Sequence, residues 1–251
     1  MLKKRKLIIL TAVILLITLS LLVIPNFNFS EQTLSDDEIE ELRVSKNYKI
    51  YEAYYNPLMS YEVISMRKHI ERSDTFIYCE VVSNLYRVPI IMSEEDKEKD
   101  PDDLPKLIMY DIKVISDSEG LYEKGTITNF AYGRANQTNA PRPKVGEKII
   151  IPITLGEKNS TAQNYSGCRG YYYITEDGFG IAAFKEDEEY TYSGKTAENI
   201  LAALKKTDEE RKAYLSEKIE SYEKTNGEYG FNSIDMLRKQ IKERLSSKKE
   251  S

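Results

Sequence analysis

The sequence holds one histidine, two cysteines and no tryptophan in 251 residues. With His69 alone, a two-histidine zinc site within one chain is excluded, and so is the H-E-x-x-H pattern. Cys79 and Cys168 are too few for a zinc-finger spacing. Positive charge is also short: 36 basic residues stand against 41 acidic ones. Four of those cations, Lys3-Lys4-Arg5-Lys6, lie together at the N-terminus. The rest of the chain therefore carries 32 against 41, a net charge of −9. Such a balance excludes nucleic acid, whose phosphates need a basic surface. It also opposes attraction to anionic lipid or to an anionic wall polymer.

Long apolar runs are scarce as well, with one exception. Leu7 to Ile24 is an eighteen-residue stretch without charge, of which fourteen residues are Leu, Ile or Val. At about 1.5 Å per residue, residues 7–29 would cover roughly 34 Å, enough to cross a bilayer core with some tilt. The basic cluster precedes the run, so the N-terminus is expected in the cytoplasm and the C-terminal part outside it. A cleaved secretory leader is the alternative. Such leaders have a shorter apolar stretch and a small-x-small cleavage site, whereas Pro25-Asn26-Phe27-Asn28-Phe29-Ser30 offers none. A retained signal anchor is the reading taken.

Beyond the anchor, Ser35-Asp36-Asp37-Glu38 reads as a helix start, with acids at the positive end of the dipole. It is assigned to a juxtamembrane stalk. Met59 to Ser73 has an amphipathic spacing, with Met59, Val63, Met66 and Ile70 on one stripe. The period then falls to two. Strands are predicted at 75–83, 107–116, 125–132, 147–155, 171–175 and 179–184, the last two joined by the turn Glu176-Asp177-Gly178. In the fourth, Ile149, Ile151, Ile153 and Leu155 share a face, and Pro152 points to an edge or bulge. Cys79 falls on the Ile77/Val81 face, which favours a buried small hydrophobe over a Cys79–Cys168 disulfide. Residues 93–103 form an acidic solvated loop and 135–143 another loop. Thr196 caps a helix carrying Ile200, Leu201 and Leu204, and a successor carries Arg211, Leu215, Ile219 and Tyr222. Asn226-Gly227 breaks the pattern before a last helix from Ser233.

No motif identifies a chemical activity. Gly178-x-Gly180-x-x-Ala183 matches a dinucleotide fingerprint by letters, but it falls on a hairpin and the next strand rather than a strand-to-helix turn. Gly194-Lys195-Thr196 resembles the end of a phosphate loop, yet Glu189 stands where that loop needs glycine. Ser65-x-x-Lys68 recurs as Ser221-x-x-Lys224 and Ser246-x-x-Lys249, as chance gives in a chain rich in both residues. Spacing allows a Cys79/His69 dyad, but Cys79 faces inward on its strand and His69 falls on a polar helix face. The alternating Asp96, Glu98, Asp100 and Asp102 carry Pro101 where a calcium loop needs its glycine. Glu176 and Asp177 have the chemistry of paired glycosidase carboxylates, but their turn position accounts for them first. Strand propensity and packing are the first account of the nineteen tyrosines. An exposed binding surface around Tyr171-Tyr172-Tyr173, Tyr190 and Tyr192 is the alternative.

From Met59 to about Lys206, some 60% of the chain, the order of features resembles Gram-positive envelope proteins with an N-terminal signal anchor and an extracytoplasmic OB-like β-barrel. The matching pieces are the helix before Ser73-Asp74, the strand through Glu80-Val81-Val82, and the strand from Tyr110 to Val114 running towards Gly120. To these are added the Val145-Gly146-Glu147-Lys148 strand entry and the Gly178 hairpin. The resemblance implies no catalytic residues. The acidic insertion, Pro152 and the long helical tail depart from it.

The expectation is thus an N-terminal transmembrane helix plus a mainly-β domain of about six antiparallel strands, an OB-like barrel or a sandwich, with flanking α-helices. Its divisions are residues 1–30 (basic stub and anchor), 31–58 (stalk), 59–206 (barrel-like domain) and 207–251 (helical tail). The partners are the lipid bilayer through residues 7–29 and an envelope protein or wall component. No enzymatic activity, cofactor, metal or catalytic residue is expected. The rival is an envelope hydrolase whose acidic residues converge only in the fold.

Overall fold

The computed structural model describes residues 33–51, 70–90, 95–134, 141–155, 162, 164–165, 170–184 and 192–224. They belong to one compact unit, Thr33–Ser251. No helix among the described residues is long and apolar enough to cross a membrane. The span expected over residues 7–29 lies outside the described residues, as do most of the Met59–Ser73 helix, His69, Ser65, Cys168, Tyr190 and everything after Lys224. Residues 70–72, at the end of that expected helix, are helical.

The fold is mainly β. Among the described residues eight strands form one sheet: β1 (Thr75–Val81), β2 (Tyr86–Pro89), β3 (Lys106–Asp117), β4 (Ile127–Arg134), β5 (Lys148–Leu155), β6 (Asn164–Tyr165), β7 (Tyr172–Ile174) and β8 (Gly180–Ala182). The six strands of the sequence reading are present, and β2 and β6 are added to them. β1 pairs with both β3 and β5, β3 with β4, and β5 with β7 and β6, all antiparallel. β7 and β8 form the expected hairpin, with Gly178 at φ +87° in its turn. Among the described residues, β4 and β5 are joined only through the two-residue β6, which meets β4 in parallel at Ala131↔Tyr165, and no continuous ladder closes that seam.

Period-two alternation sorts the side chains. Ile77, Cys79 and Val81 of β1, Ile108, Tyr110, Ile112 and Val114 of β3, and Ile149, Ile151, Ile153 and Leu155 of β5 enter one interior cluster. The opposite faces of β1 and β5 are buried as well. Phe76, Tyr78 and Ile150 meet Tyr172 and Ile174 beneath helix α2 (Ala197–Ala203), which contributes Ile200 and Leu201 and is followed by Leu204. Thr196 Oγ1 caps that helix by accepting Asn199 N–H at 3.4 Å. Burial on both faces explains why Phe76 to Val81 reads as an almost unbroken apolar run.

Pro152 stands where β5 changes partner. The Ile153 carbonyl accepts Asp74 N–H at 2.8 Å, on the side that faces β1. Alternation turns the Pro152 nitrogen to the opposite edge, after β7 has ended at Ile150↔Tyr172 and before β6 begins at Thr154↔Tyr165. Proline therefore costs no ladder bond there.

The helix expected after Ser35 forms as α1 (Asp36–Lys46), with a capping box between Ser35 and Glu38. Residues 33–51, assigned by sequence to a stalk, instead lie against the sheet. Ile39 is in the interior cluster. Arg43 Nη1 donates to the Ala182 carbonyl at 2.9 Å, and Tyr51 N–H donates to the Ala183 carbonyl at 2.8 Å. The capping signal is local and legible. The docking depends on buried Ile39, on the partly buried Leu34, Leu42, Tyr48 and Tyr51 packed against the same cluster, and on backbone acceptors in the sheet.

Gly194 fastens the same segment. Its carbonyl accepts Leu34 N–H at 2.9 Å, and its φ is +85°. A methyl group there would lie 2.9 Å from the Leu34 oxygen. Gly194→Ala thus meets both an unfavourable φ and a backbone clash. A loss of about 1–3 kcal/mol is expected in chemical denaturation. Nearby, α2 sits so close to the hairpin that a methyl on Gly180 would stand 2.1 Å from Ile200 Cδ1. Gly180 of the first nucleotide-like motif and Gly194 of the second are thus used for packing.

Candidate functional site: a buried polar clasp

A cluster of buried polar and charged groups lies at the Asp74 end of β1. Ser73, Asp74, Thr75, Ser118 and Lys206 are all buried there. The Asp74 carboxylate is 2% exposed. Its Oδ2 accepts Leu155 N–H at 2.6 Å, and its Oδ1 accepts the Tyr214 hydroxyl. Tyr214 comes from α3 (Asp208–Lys224). Burial and the adjacent Asp74 carboxylate push its phenol far above the ordinary tyrosine range, so it stays a proton donor.

Glu119 forms the second half. Its Oε1 accepts Lys206 N–H at 2.8 Å, and its Oε2 accepts Arg211 Nε at 3.0 Å. The Glu119 side chain is 7% exposed and that of Arg211 33%. Lys206 joins the halves: its Nζ donates to the Ser73 carbonyl and lies 4.9 Å from the centre of the Tyr214 ring. The loop beneath is held by Asp117, whose carboxylate accepts the N–H groups of Glu119, Leu121 and Tyr122 at 2.9–3.0 Å and the Thr75 hydroxyl at 2.9 Å.

Carboxylate, phenol and ammonium are the parts of an acid–base site. Here each carboxylate oxygen of Asp74 and Glu119 already accepts a bond from the protein. The arrangement holds β1, the β3–β4 loop, β5 and α3 together. None of these residues was proposed from sequence as a site residue: Ser73-Asp74 marked only the end of a helix and Arg211 only a place on the next one, and each charge alone reads as surface. The one local signal is Asp74 directly before an apolar strand.

The described residues among those considered from sequence do not converge on it. Glu176 lies in the hairpin turn, bonds Lys46 at 2.9 Å and is 87% exposed. That bond holds its carboxyl below the usual range. Asp96 pairs with Lys99 at 2.7 Å and Asp102 with Lys106 at 2.5 Å, around a short 3-10 turn, Glu95–Glu98. Among the described residues no group of three His, Cys, Asp or Glu is placed to hold a metal ion. The described carboxyls that shift clearly, Glu38, Asp102 and Glu176, are all shifted down by hydrogen bonds.

Tyr171, Tyr172 and Tyr173 are buried, against the alternative of an exposed tyrosine surface. Alternation sends Tyr171 and Tyr173 into the interior and Tyr172 under α2. Inside, rings follow one another from Tyr110 through Phe130, Tyr132, Tyr171 and Tyr173 to Tyr48, with centroids 4.7–6.2 Å apart. The Tyr171 hydroxyl is buried without a hydrogen-bond partner among the described residues.

Cys79 is a free thiol with 0% exposure, and burial pushes its pKa up. It is expected to resist a thiol-alkylating reagent in the native protein and to react only after denaturation, as read by peptide mapping. Native labelling of the Cys79 peptide at the rate of an open thiol would contradict its burial.

No protein-family model matches this chain, and neither a curated protein nor a solved structure does.

Proposed function

We propose that this chain is a single-pass, membrane-anchored protein of the cell envelope. Its β domain lies outside the cytoplasm and acts as a non-catalytic binding or interaction module. The carrying observation is the leader: Lys3-Lys4-Arg5-Lys6 followed by the uncharged run from Leu7 to Ile24. Its resemblance to Gram-positive envelope proteins points the same way. An OB-like barrel is the finer reading of the sheet. It is supported by the pairing order β5–β1–β3–β4–β6, returning to β5, and by the one parallel contact between β4 and β6. The non-catalytic reading is supported by the clasp, whose carboxylates are spent on holding elements together. A net charge of −9 outside the leader favours a protein or a wall component that is not polyanionic.

The test is protease added to intact cells, with a known surface protein and a known cytoplasmic protein as controls. Cleavage of the cell-bound chain within residues 33–251, with the cytoplasmic control spared, is the expected result. Protection of those residues while the surface control is cut would overturn the topology. Recovery of the domain from the medium, starting after residue 24, would replace the anchor with a cleaved leader.

A further inference from the structure

The alternation that sends Val81, Ile112 and Ile149 into the interior turns Glu80, Lys113 and Lys148 outward. Register sets these three side by side. Glu80 pairs with Lys113 of β3 and with Lys148 of β5, and Lys113 pairs with Ile127 of β4. One row of the outer face therefore reads Lys148, Glu80, Lys113, Ile127 across four strands, about 4.8 Å apart. Lys113 and Lys148 are exposed, Glu80 is partly so, and Ile127 is 68% exposed. Val82 and Val145, also exposed, stand at the same corner. There Val82 N–H donates to the Asp111 carbonyl at 2.9 Å, and Gly146 N–H donates to the Val81 carbonyl at 2.8 Å. Among the described residues five large apolar side chains are exposed, and three of them lie here.

Such a row is complementary to itself. A two-fold axis normal to the sheet, between Glu80 and Lys113, lays the row on its own reverse. Glu80 of each copy then faces Lys113 of the other, and the aliphatic stem of Lys148 covers Ile127. A polyanion or a polycation would meet like charge on the same row. We propose that this strip is the contact through which two copies of the chain pair, sheet face to sheet face. The two central charge pairs set the register, and Ile127, with Val82 and Val145 at the margin, supplies apolar area.

Full-length chains carrying two different tags, co-expressed and extracted in a mild detergent, test this by capture on one tag and quantification of the other. Wild-type copies should co-purify. Glu80→Lys in both copies, or Lys113→Glu in both, sets like charges face to face and should cut recovery of the second tag at least about tenfold. Glu80→Lys copies expressed with Lys113→Glu copies should recover near the wild-type level. Within each variant chain, positions 80 and 113 still carry like charge, so that rescue comes only from contact between copies. Ile127→Lys, at an exposed position that leaves the fold intact, should give the same loss by meeting Lys148 of the other copy. Wild-type copies that fail to co-purify would overturn the pairing. Recovery retained in Ile127→Lys would overturn this interface, and so would a charge-swapped mixture that stays as low as either variant alone.

Discussion

Asp74→Ala is expected to lower the unfolding free energy of the full chain by about 3–5 kcal/mol, read as a midpoint shift in urea. The carboxylate is buried at the start of β1 and accepts from both Leu155 N–H and the Tyr214 hydroxyl. Alanine leaves both donors without their acceptor, close to the buried Lys206. A hydrogen bond to a charged group contributes about 1.5–3 kcal/mol, and an orphaned buried donor adds its own desolvation cost. Tyr214→Phe keeps the Leu155 bond and removes only the bond from the phenol, so it is expected to cost less than Asp74→Ala. Asp74→Asn keeps an acceptor for Leu155 and should fall between the two. A loss below about 1 kcal/mol for Asp74→Ala would show that the carboxylate does not bridge β5 and α3.

The second large effect separates a ring from its hydroxyl. Tyr171→Ala is expected to cost about 3–5 kcal/mol, because it opens a cavity between Tyr132 and Tyr173, whose rings lie 6.1 and 5.1 Å away. Tyr171→Phe should have the opposite sign. The hydroxyl is fully buried without a hydrogen-bond partner among the described residues, and burial holds its pKa well above the ordinary value. Removing it relieves a desolvation cost of about 1–3 kcal/mol while keeping the ring. Denaturant melts of both variants check the pair. A Phe variant less stable than the wild type would mean that the hydroxyl is bonded in solution.

The strands were legible because their signals are local. Alternation along 107–116 and 147–155 placed the right residues on the interior face, and Glu176-Asp177-Gly178 marked its hairpin. The additional strands had no such signal. Tyr86–Pro89 is four residues long and ends in proline. It forms because β3 extends to Lys106 and offers it an edge. Asn164–Tyr165 is too short for any period to show. Its strand character comes entirely from lying between β4 and β5.

The clasp was not legible at all. Lys206 and Ser73 are 133 residues apart, and Arg211 and Glu119 are 92 apart. Each charged residue alone fits a solvated surface. Only chain folding supplies the partner that makes its burial tolerable. The tyrosines lie between these cases: period two separated Tyr172 from Tyr171 and Tyr173, but only α2 and the interior rings decided that both faces are covered.

By itself the amino-acid sequence determined the uncharged N-terminal run behind its basic cluster, the acidic remainder, the alternating strands, and the helix starts at Ser35 and Thr196. These are properties of composition and of neighbours within a few residues, which hydrophobic periodicity and capping encode directly. The tertiary structure alone decided that residues 33–51 pack on the sheet, that Pro152 meets a gap between two partner strands, and that Asp74, Glu119, Lys206, Arg211 and Tyr214 are brought together. These outcomes turn on which distant backbone and side-chain groups remain to be satisfied once the sheet has formed, and no local pattern carries that information.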